Sequence, residues 1–431
     1  MLKRVHNLSS SARKKLTQIV SASSMLKKNS ESNTDTYGYS SSEFIYQTAS
    51  WADTSAPQLS KFDIELHKRW DHAMSTGVFR YNIDHIVTRI LPGDKHYVGQ
   101  LNTLRATERR KPQVITSVKQ PFNPDAFNFT WVKPEEVIFN LKNLDTSQPQ
   151  HPQSGCNGEV SCNGTAASHH PTDSQGALES HGAPDSQGAP DSQGAPERHT
   201  LVVNVSPMEY GHCLLVPQID SHQPQILTLV SIQVALETML LSRHRGFRMG
   251  YNSLCAFASV NHLHFHVYYL EYQLIVDYCP VNHLGGKIYE ITAIPCPGFV
   301  LQLHNSSVQE MARLTHKISS YFQTNDIAHN IFICRGVVFG EARNSSQTTI
   351  RLFIWPRKKF IVNQPKGNKS SEDFNVACIE LGGHLPIKEV DGYNTLTEAD
   401  VDDIIADACL PPDQYQKIKS DITKLGLEED S

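Results

Sequence analysis

GYNSLCAFASVNHLHFHVYYL, residues 250–270, is the stretch on which the reading of this chain turns. At its centre histidines alternate with apolar residues: His262, Leu263, His264, Phe265, His266. Alternate side chains of an extended strand face the same way. The spacing therefore predicts a strand with three imidazoles on one face. Leu263, Phe265 and Val267 occupy the other face, turned to a core. The alternation runs on to Tyr269, as a strand requires. Each imidazole brings two ring nitrogens that need partners, so a row of three is costly to leave idle. Three readings meet here. Histidines on alternate strand positions can chelate zinc. A neutral imidazole can attack phosphorus and carry a covalent intermediate. A surface strand can simply be His-rich, and for any lone histidine that reading wins. The apolar flanks, and the preceding Asn252, Ser253, Ser259 and Asn261, favour a site.

Bulk composition narrows the classes. A chain of 431 residues holds two or three average domains. A hydrophobic content of 39% is low for a wholly packed chain and predicts disordered segments. A net charge of −5 gives no sign of a nucleic-acid surface. No apolar run reaches membrane-spanning length. Nine cysteines occur without C-x-x-C pairs. Cys213, Cys255 and Cys334 sit in apolar segments and read as reduced core thiols, while Cys156 and Cys162 sit in a polar stretch. No metal motif stands out, and no cofactor is expected. Zinc on the three histidines would need a further ligand. Nothing in the sequence sets an oligomeric state.

From the N-terminus, residues 1–55 are rich in Ser, Lys, Asn and Thr and read as a disordered basic tail. Residues 60–146 read as the N-terminal part of a catalytic domain, opening with an amphipathic helix over 60–74 capped by Ser60. Strands are expected over 80–91 and 97–104, joined at Pro92-Gly93-Asp94. Arg105, Arg109, Arg110 and Lys111 form a basic segment. Pro134-Glu135-Glu136 reads as the first turn of a helix. Residues 147–198 hold an imperfect six-residue repeat, DSQGAP at its clearest, with apolar content nearly confined to Ala. No core can form from that, so it reads as a disordered insertion. Residues 199–285 read as strand, strand, a helix over 224–243, a basic connection over 245–250, then the histidine strand. Residues 286–410 repeat a similar order, with a helix over 308–322 and strands over 327–339 and 349–356. Residues 411–431 read as a polar tail.

The order His-apolar-His-apolar-His-apolar-apolar resembles the histidine-triad superfamily, departing only at Tyr268. With RILPGDKHYVGQLN (89–102), FNFTWVKPEEVIF (127–139) and NVSPMEYGHCLLVP (204–217), the chain resembles the GDP-hexose phosphorylases. It is more similar to the GDP-D-glucose type than to its GDP-L-galactose sister. The resemblance implies an α+β fold, a histidine-triad-like antiparallel sheet with packed helices. It implies two triad-type halves, as in the hexose-1-phosphate uridylyltransferases. It implies GDP-D-glucose as substrate, inorganic phosphate as acceptor, and a GMP intermediate on His264. His262 and His266 would flank that nucleophile as charged or neutral donors. Ser259 matches a phosphate-contacting serine of the uridylyltransferases, and Asn252 lies one residue out of register with their asparagine. Ser253, beside it, is the third substrate-binding residue expected. The basic segment would supply a donor to the diphosphate. His212 reads equally as a residue at the mouth of the site and as a surface histidine. His266 stands where the uridylyltransferases carry Gln and triad hydrolases carry His. The triad alone therefore leaves a water-using nucleotide hydrolase open, as well as a non-catalytic guanine-nucleotide-binding protein. Residues 1–28 suit a mitochondrial transit peptide or a plain basic tail. The family's setting favours the tail and a cytoplasmic location.

Overall fold

The computed structural model describes residues 36–55, 58–145, 198–361 and 373–429. Fourteen strands are formed among them: β1 Thr36–Tyr39, β2 Val87–Ile90, β3 Val98–Leu101, β4 Val137–Asn143, β5 His199–Val203, β6 Cys213–Val216, β7 Phe247–Asn252, β8 Phe265–Tyr269, β9 Asn282–Gly285, β10 Ile288–Ile291, β11 Gly298–Gln302, β12 Ala328–Val337, β13 Thr348–Arg357 and β14 His384–Ile387. The helices are α1 Lys61–Ser75, α2 Thr103–Glu108, α3 Leu229–Leu241, α4 Val308–Thr324, α5 Cys378–Leu381, α6 Val390–Thr395, α7 Glu398–Asp407 and α8 Pro412–Glu429. Among the described residues, no helix is long and apolar enough to cross a membrane.

Eleven strands join in one sheet, in the order β1-β4-β5-β6-β8-β7-β12-β13-β11-β10-β9. Two stretches of chain repeat one plan within it. The first is β5, β6, α3, β7, β8, and the second is β10, β11, α4, β12, β13. They meet where β7 pairs antiparallel with β12, Gly250 opposite Phe332. Outward from that seam the order is β7, β8, β6, β5 on one side and β12, β13, β11, β10 on the other. This is the two-halved α+β sheet that the resemblance implied.

Period-2 alternation decides what each face of the sheet carries. Val267 and Tyr269 of β8 and Ile331 and Ile333 of β12 join one core, packed by α1, α3, α4 and α8. Tyr268, Phe332, Cys334, Phe353 and Trp355 join the other, covered by the chain after Phe374. Gly250 is needed for that cover, because a Cβ there would stand 2.5 Å from Cys378 Sγ. A three-stranded sheet, β14-β3-β2, lies in the covering layer, with β14 parallel to β3.

Several expected boundaries move. Residues 36–55 do not belong to a tail, since β1 joins the main sheet and Tyr39 donates to buried Glu237 at 2.6 Å. Residues 412–429 form α8, whose Tyr415, Ile418 and Ile422 are buried in the helix-side core, so the C-terminal tail expectation fails. The connection read over 245–250 is largely strand β7. Its basic residue hides by pairing, which the charge pattern could not show. Pro134–Glu136 makes one 3-10 turn leading into β4, not a helix. Helix α3 begins only at Leu229, capped by Thr228. The basic stretch 1–35 and the repeat insertion, with Cys156 and Cys162, lie outside the described residues.

Arg248 and Asp277 are both fully buried. The guanidinium grips the carboxylate through both Nη atoms, at 2.5 and 2.7 Å. Removing one partner of such a pair leaves an uncompensated buried charge. Asp277→Ala is expected to lose about 3–5 kcal/mol of stability in urea unfolding.

Candidate active site

Only His266 of the three histidines lies within the ladder of β8, opposite Leu214 of β6 and Gly250 of β7. His262 and His264 precede the strand. What keeps them in line is the side chain of Gln225. Its Oε1 accepts from the His264 N–H at 2.9 Å, and its Nε2 donates to the carbonyls of His264 and Asn252, each at 3.0 Å. The Leu263 N–H adds a bond to the Gln223 carbonyl at 2.9 Å. One primary amide therefore does the work of a neighbouring strand. The alternation is preserved: Leu263 and Phe265 enter the helix-side core, while the His264 and His266 rings stand 5.4 Å apart on the other face. The expected row of imidazoles exists, but two of its three members stand on an extended segment outside the strand.

The hydrogen bonds assign a proton to each ring. The Phe129 N–H donates to His262 Nδ1 at 3.0 Å, so that ring carries its proton on Nε2. His264 Nδ1 stands 2.7 Å from the His262 carbonyl, which only accepts. His264 is therefore protonated at Nδ1 and bears a lone pair at Nε2. The Met208 N–H donates to His212 Nδ1 at 3.1 Å, which places the His212 proton on Nε2. That nitrogen lies 3.1 Å from His266 Nδ1 and donates to it, leaving the His266 proton on Nε2. The Asn204 amide nitrogen is 3.3 Å from the same His212 Nε2; both groups carry hydrogens, so the His266 contact is the bond that holds. Gly211, at φ +68°, makes the turn that delivers His212, and a Cβ there would stand 2.5 Å from the Tyr269 ring. His212 is thus part of the site and not a surface residue.

All three rings are held neutral. Burial holds His264 down to about 4, against the His262 carbonyl, which favours the charged form. Burial, then repulsion from His264 and His222, holds His262 down to about 4. Burial, His264 and Arg105 hold His266 well below the usual histidine range. The row therefore reads N–H donor, lone pair, N–H donor. A lone pair between two donors can displace an oxygen at phosphorus while its neighbours take charge on the remaining oxygens.

The two ends of the row differ. At the His262 end Phe129 lies 5.5 Å from His262 and 4.9 Å from His264, and Phe122 lies 5.4 Å from His262. At the His266 end Arg105 bonds the Ser206 carbonyl and acts electrostatically on both His266 and His212. Arg109 lies near Arg105 and the buried Glu380, whose carboxyl burial pushes up to about 7. Arg110 sits over the Phe127 ring at 3.1 Å.

The other expected residues have mixed fates. Ser259 is half-buried in the loop before the triad, and its carbonyl accepts from the Gln113 N–H at 3.0 Å. Asn252 Oδ1 accepts from Asn330 Nδ2 at 2.7 Å and from the Cys378 N–H at 2.9 Å, tying both halves to the covering layer. Ser253 Oγ accepts from the His329 N–H at 2.9 Å and donates to the Leu254 carbonyl at 3.1 Å. Its hydroxyl thus makes both of these bonds within the loop and to β12. Asn261 pins the same loop, accepting from the Gln225 N–H at 2.9 Å and donating to the Pro121 carbonyl at 2.8 Å. Among the described residues, no group of three His, Cys, Asp or Glu side chains is placed to hold a metal ion. Gln225, Phe129 and Met208 went unnoticed in the sequence. Phe129 and Met208 lie inside the quoted segments 127–139 and 204–217, while Gln225 has no pattern around it.

Imidazole nitrogen NMR tests the proton assignment. His264 should appear as the Nδ1–H tautomer, and His262 and His266 as Nε2–H tautomers. The shifts should hold from about pH 8 to about pH 5, where ordinary imidazole titrates.

The family model described as GDPGP1-like, N-terminal domain, matches residues 61–164 and 177–268. The model described as GDPGP1-like, C-terminal domain, matches residues 272–428. The division falls just after β8, earlier than the 285–286 boundary expected from sequence. GDP-D-glucose phosphorylase 1 of Danio rerio is 35% identical over 369 residues, 85% of this chain and 91% of its own. The Homo sapiens protein of that name is 35% identical over 376 residues, 86% of this chain and 85% of its own. GDP-L-galactose phosphorylase 2 of Arabidopsis thaliana is 27% identical over 363 residues, 81% of this chain and 73% of its own. A crystal structure of a yeast Ap4A phosphorylase with Ap4A shares the fold, with a TM-score of 0.50 at 14% identity, over 82% of this chain and 98% of that one. With both domain models matched in order, and relatives similar across most of their lengths, this chain belongs to the GDPGP1-like family.

Proposed function

We propose that this protein is a nucleotidyltransferase that converts GDP-D-glucose and inorganic phosphate into GDP and D-glucose 1-phosphate. The observation that carries the mechanism is the lone pair on His264 Nε2, set between two N–H donors. In the first step Nε2 attacks the α-phosphorus, and the bond to the bridging oxygen breaks. D-glucose 1-phosphate leaves with that electron pair, and GMP stays bonded to His264. The Nδ1–H bond to the His262 carbonyl supports the positive charge that develops on the ring. His262 and His266 donate from Nε2 to oxygens around the phosphorus. In the second step a phosphate oxygen attacks the same phosphorus, the P–N bond breaks, and GDP is released. Each phosphoryl transfer uses one face of one ring, so the kinetics are ping-pong.

The ends of the row suit the two halves of the substrate. The aromatic end, at Phe122 and Phe129, fits a flat base. The end with Arg105 and Arg109 fits the charged sugar phosphate and then the incoming phosphate. Ser259 is proposed to contact phosphate oxygens, and Asn252 to hold the edge of the site. Six buried thiols, Cys213, Cys255, Cys279, Cys296, Cys334 and Cys378, are free, which suits a reducing compartment, and the cytoplasm is the proposed location.

GDP-glucose labelled in the α-phosphate tests the reading. With phosphate present, label should appear in GDP; without it, label should remain on the protein and map to His264. Label accumulating in GMP would make water the acceptor and the protein a hydrolase, and label on another residue would overturn the mechanism. Gln225→Leu tests the positioning of the nucleophile, since it strips the His264 N–H and two carbonyls of their partner. It should lower kcat by about 100-fold while KM for GDP-glucose changes little.

A further inference from the structure

At the end of the sheet away from the triad, a second polar cleft is formed by residues from both of its faces. Residues 45–53 cross the end of the sheet there. The Ile45 N–H reaches the Leu240 carbonyl at 2.8 Å, and the Thr48 N–H reaches Thr348 Oγ1 at 2.9 Å. Arg245 Nη1 holds the Ser50 and Asp53 carbonyls at 2.7 and 2.6 Å. The space beneath this arm is lined by Thr48, Trp51, Arg245, Asp277, Arg335 and Arg343, among others. Its enclosed part admits a particle of about water size.

The lining is rich in donors, and the Thr48 hydroxyl is also buried there without a partner among the described residues. Arg335 is 2% exposed. Its Nη2 donates to the Met239 and Ser242 carbonyls at the end of α3, each at 2.8 Å. Its Nε and Nη1 are buried with no hydrogen-bond partner among the described residues, as are Trp51 Nε1 and Arg245 Nε. Asp277 is the one carboxylate among the lining residues, and Arg248 already holds both its oxygens. The two other arginines on these paired strands give the contrast. Arg351, equally buried, donates to the carbonyls of Val337, Val276 and Cys279. Arg357 donates to the Asn330 side chain and to the Val376 and Lys358 carbonyls. Neither has a fully buried side-chain nitrogen without a partner among the described residues. Burial pushes Arg335 down to about 10, against the Asp63 carboxylate, which acts on it at a distance and makes no hydrogen bond to it. Buried charges in proteins are paired, because an isolated one is costly.

We propose that this cleft is an anion site, and that a single small anion of chloride size completes the pairing of Arg335, bridging it to Arg245 and Trp51. A monatomic anion accepts from donors on several sides at once and is nearer in size to the enclosed space than an oxyanion is. The bound anion would fasten the arm of residues 45–53, through Trp51 and Arg245, onto the ends of β12 and β13. This site is separate from the triad and does not depend on the proposed chemistry.

Bromide serves as the crystallographic probe. Anomalous scattering from bromide-grown crystals should give a peak within hydrogen-bond reach of Arg335 Nε, Arg245 Nε and Trp51 Nε1. In solution, replacing gluconate with chloride at constant ionic strength should raise the melting temperature of the full chain saturably, by a few degrees. Trp51→Phe keeps the ring and removes one donor, so it should weaken that dependence several-fold. Arg245→Gln should abolish it, and Arg335→Met should do the same if its helix-capping loss leaves the chain folded. Phosphate or sulfate shifting the parent but not Trp51→Phe, with chloride inert, would overturn the halide assignment. An empty bromide map at the cleft, or equal chloride response in parent and Trp51→Phe, would overturn the site altogether.

Discussion

The hydrogen bond from His264 Nδ1 to the carbonyl of His262 is the constraint from which the site's chemistry follows. It is a contact between residues two apart, so it costs the chain no distant partner. A carbonyl cannot donate, so the proton on His264 has one place to be. The free lone pair must then sit on Nε2, on the open side of the ring. Burial reinforces this by disfavouring the doubly protonated ring. In the proposed mechanism the same low-dielectric surroundings would strengthen the bond as the ring becomes positive during attack. Neutral nucleophile and stabilised cation would then come from one geometry.

Holding that short contact requires the backbone of residues 262–264 to stay extended where no strand pairs with it. Gln225 meets the requirement. Its side chain bridges the end of β7, through the Asn252 carbonyl, to the His264 amide, through both its polar groups. This is why α3 starts late. The Gln225 carbonyl accepts from Tyr251 Oη at 2.8 Å and its N–H is taken by Asn261, so the residue is committed to the loop and cannot enter a helix. Thr228 then caps a helix that begins at Leu229, later than the expected start at 224.

The sequence disclosed what depends on period and left hidden what depends on pairing at a distance. The row of imidazoles, α1 with its Ser60 cap, α4, and strands β12 and β13 all follow from spacing. Ser60 caps α1 through Asp63 as its side chain suggests, and Asp63 then reaches Ser242 and Tyr269, which no local pattern announces. Strand β7 was masked because Arg248 reads as solvated until Asp277 is known to lie against it. The hydroxyl of Ser253, in a loop, gives no hint that the His329 amide will donate to it. The proton positions on the triad were out of reach for the same reason. They are set by Phe129 and Met208, whose backbone groups carry no sequence signature.

The repeated halves explain why one row of histidines is enough. Each half can present one face of its last strand, β8 or β13, to the layer that covers the sheet. On β8 that face carries His266 and Tyr268, and the histidine segment runs on beyond the ladder to lie against Phe129. On β13 it carries Phe353 and Trp355, stacked with ring centroids 5.4 Å apart and fully buried. The chain after Phe374 packs on these two rings and continues into β14, α7 and the second core. A catalytic row on β13 would have to displace that packing, and an apolar platform on β8 would leave Arg105 and the His212 relay with nothing to act on. The halves share a backbone plan, and burial of one face by the C-terminal segment is what separates scaffold from site.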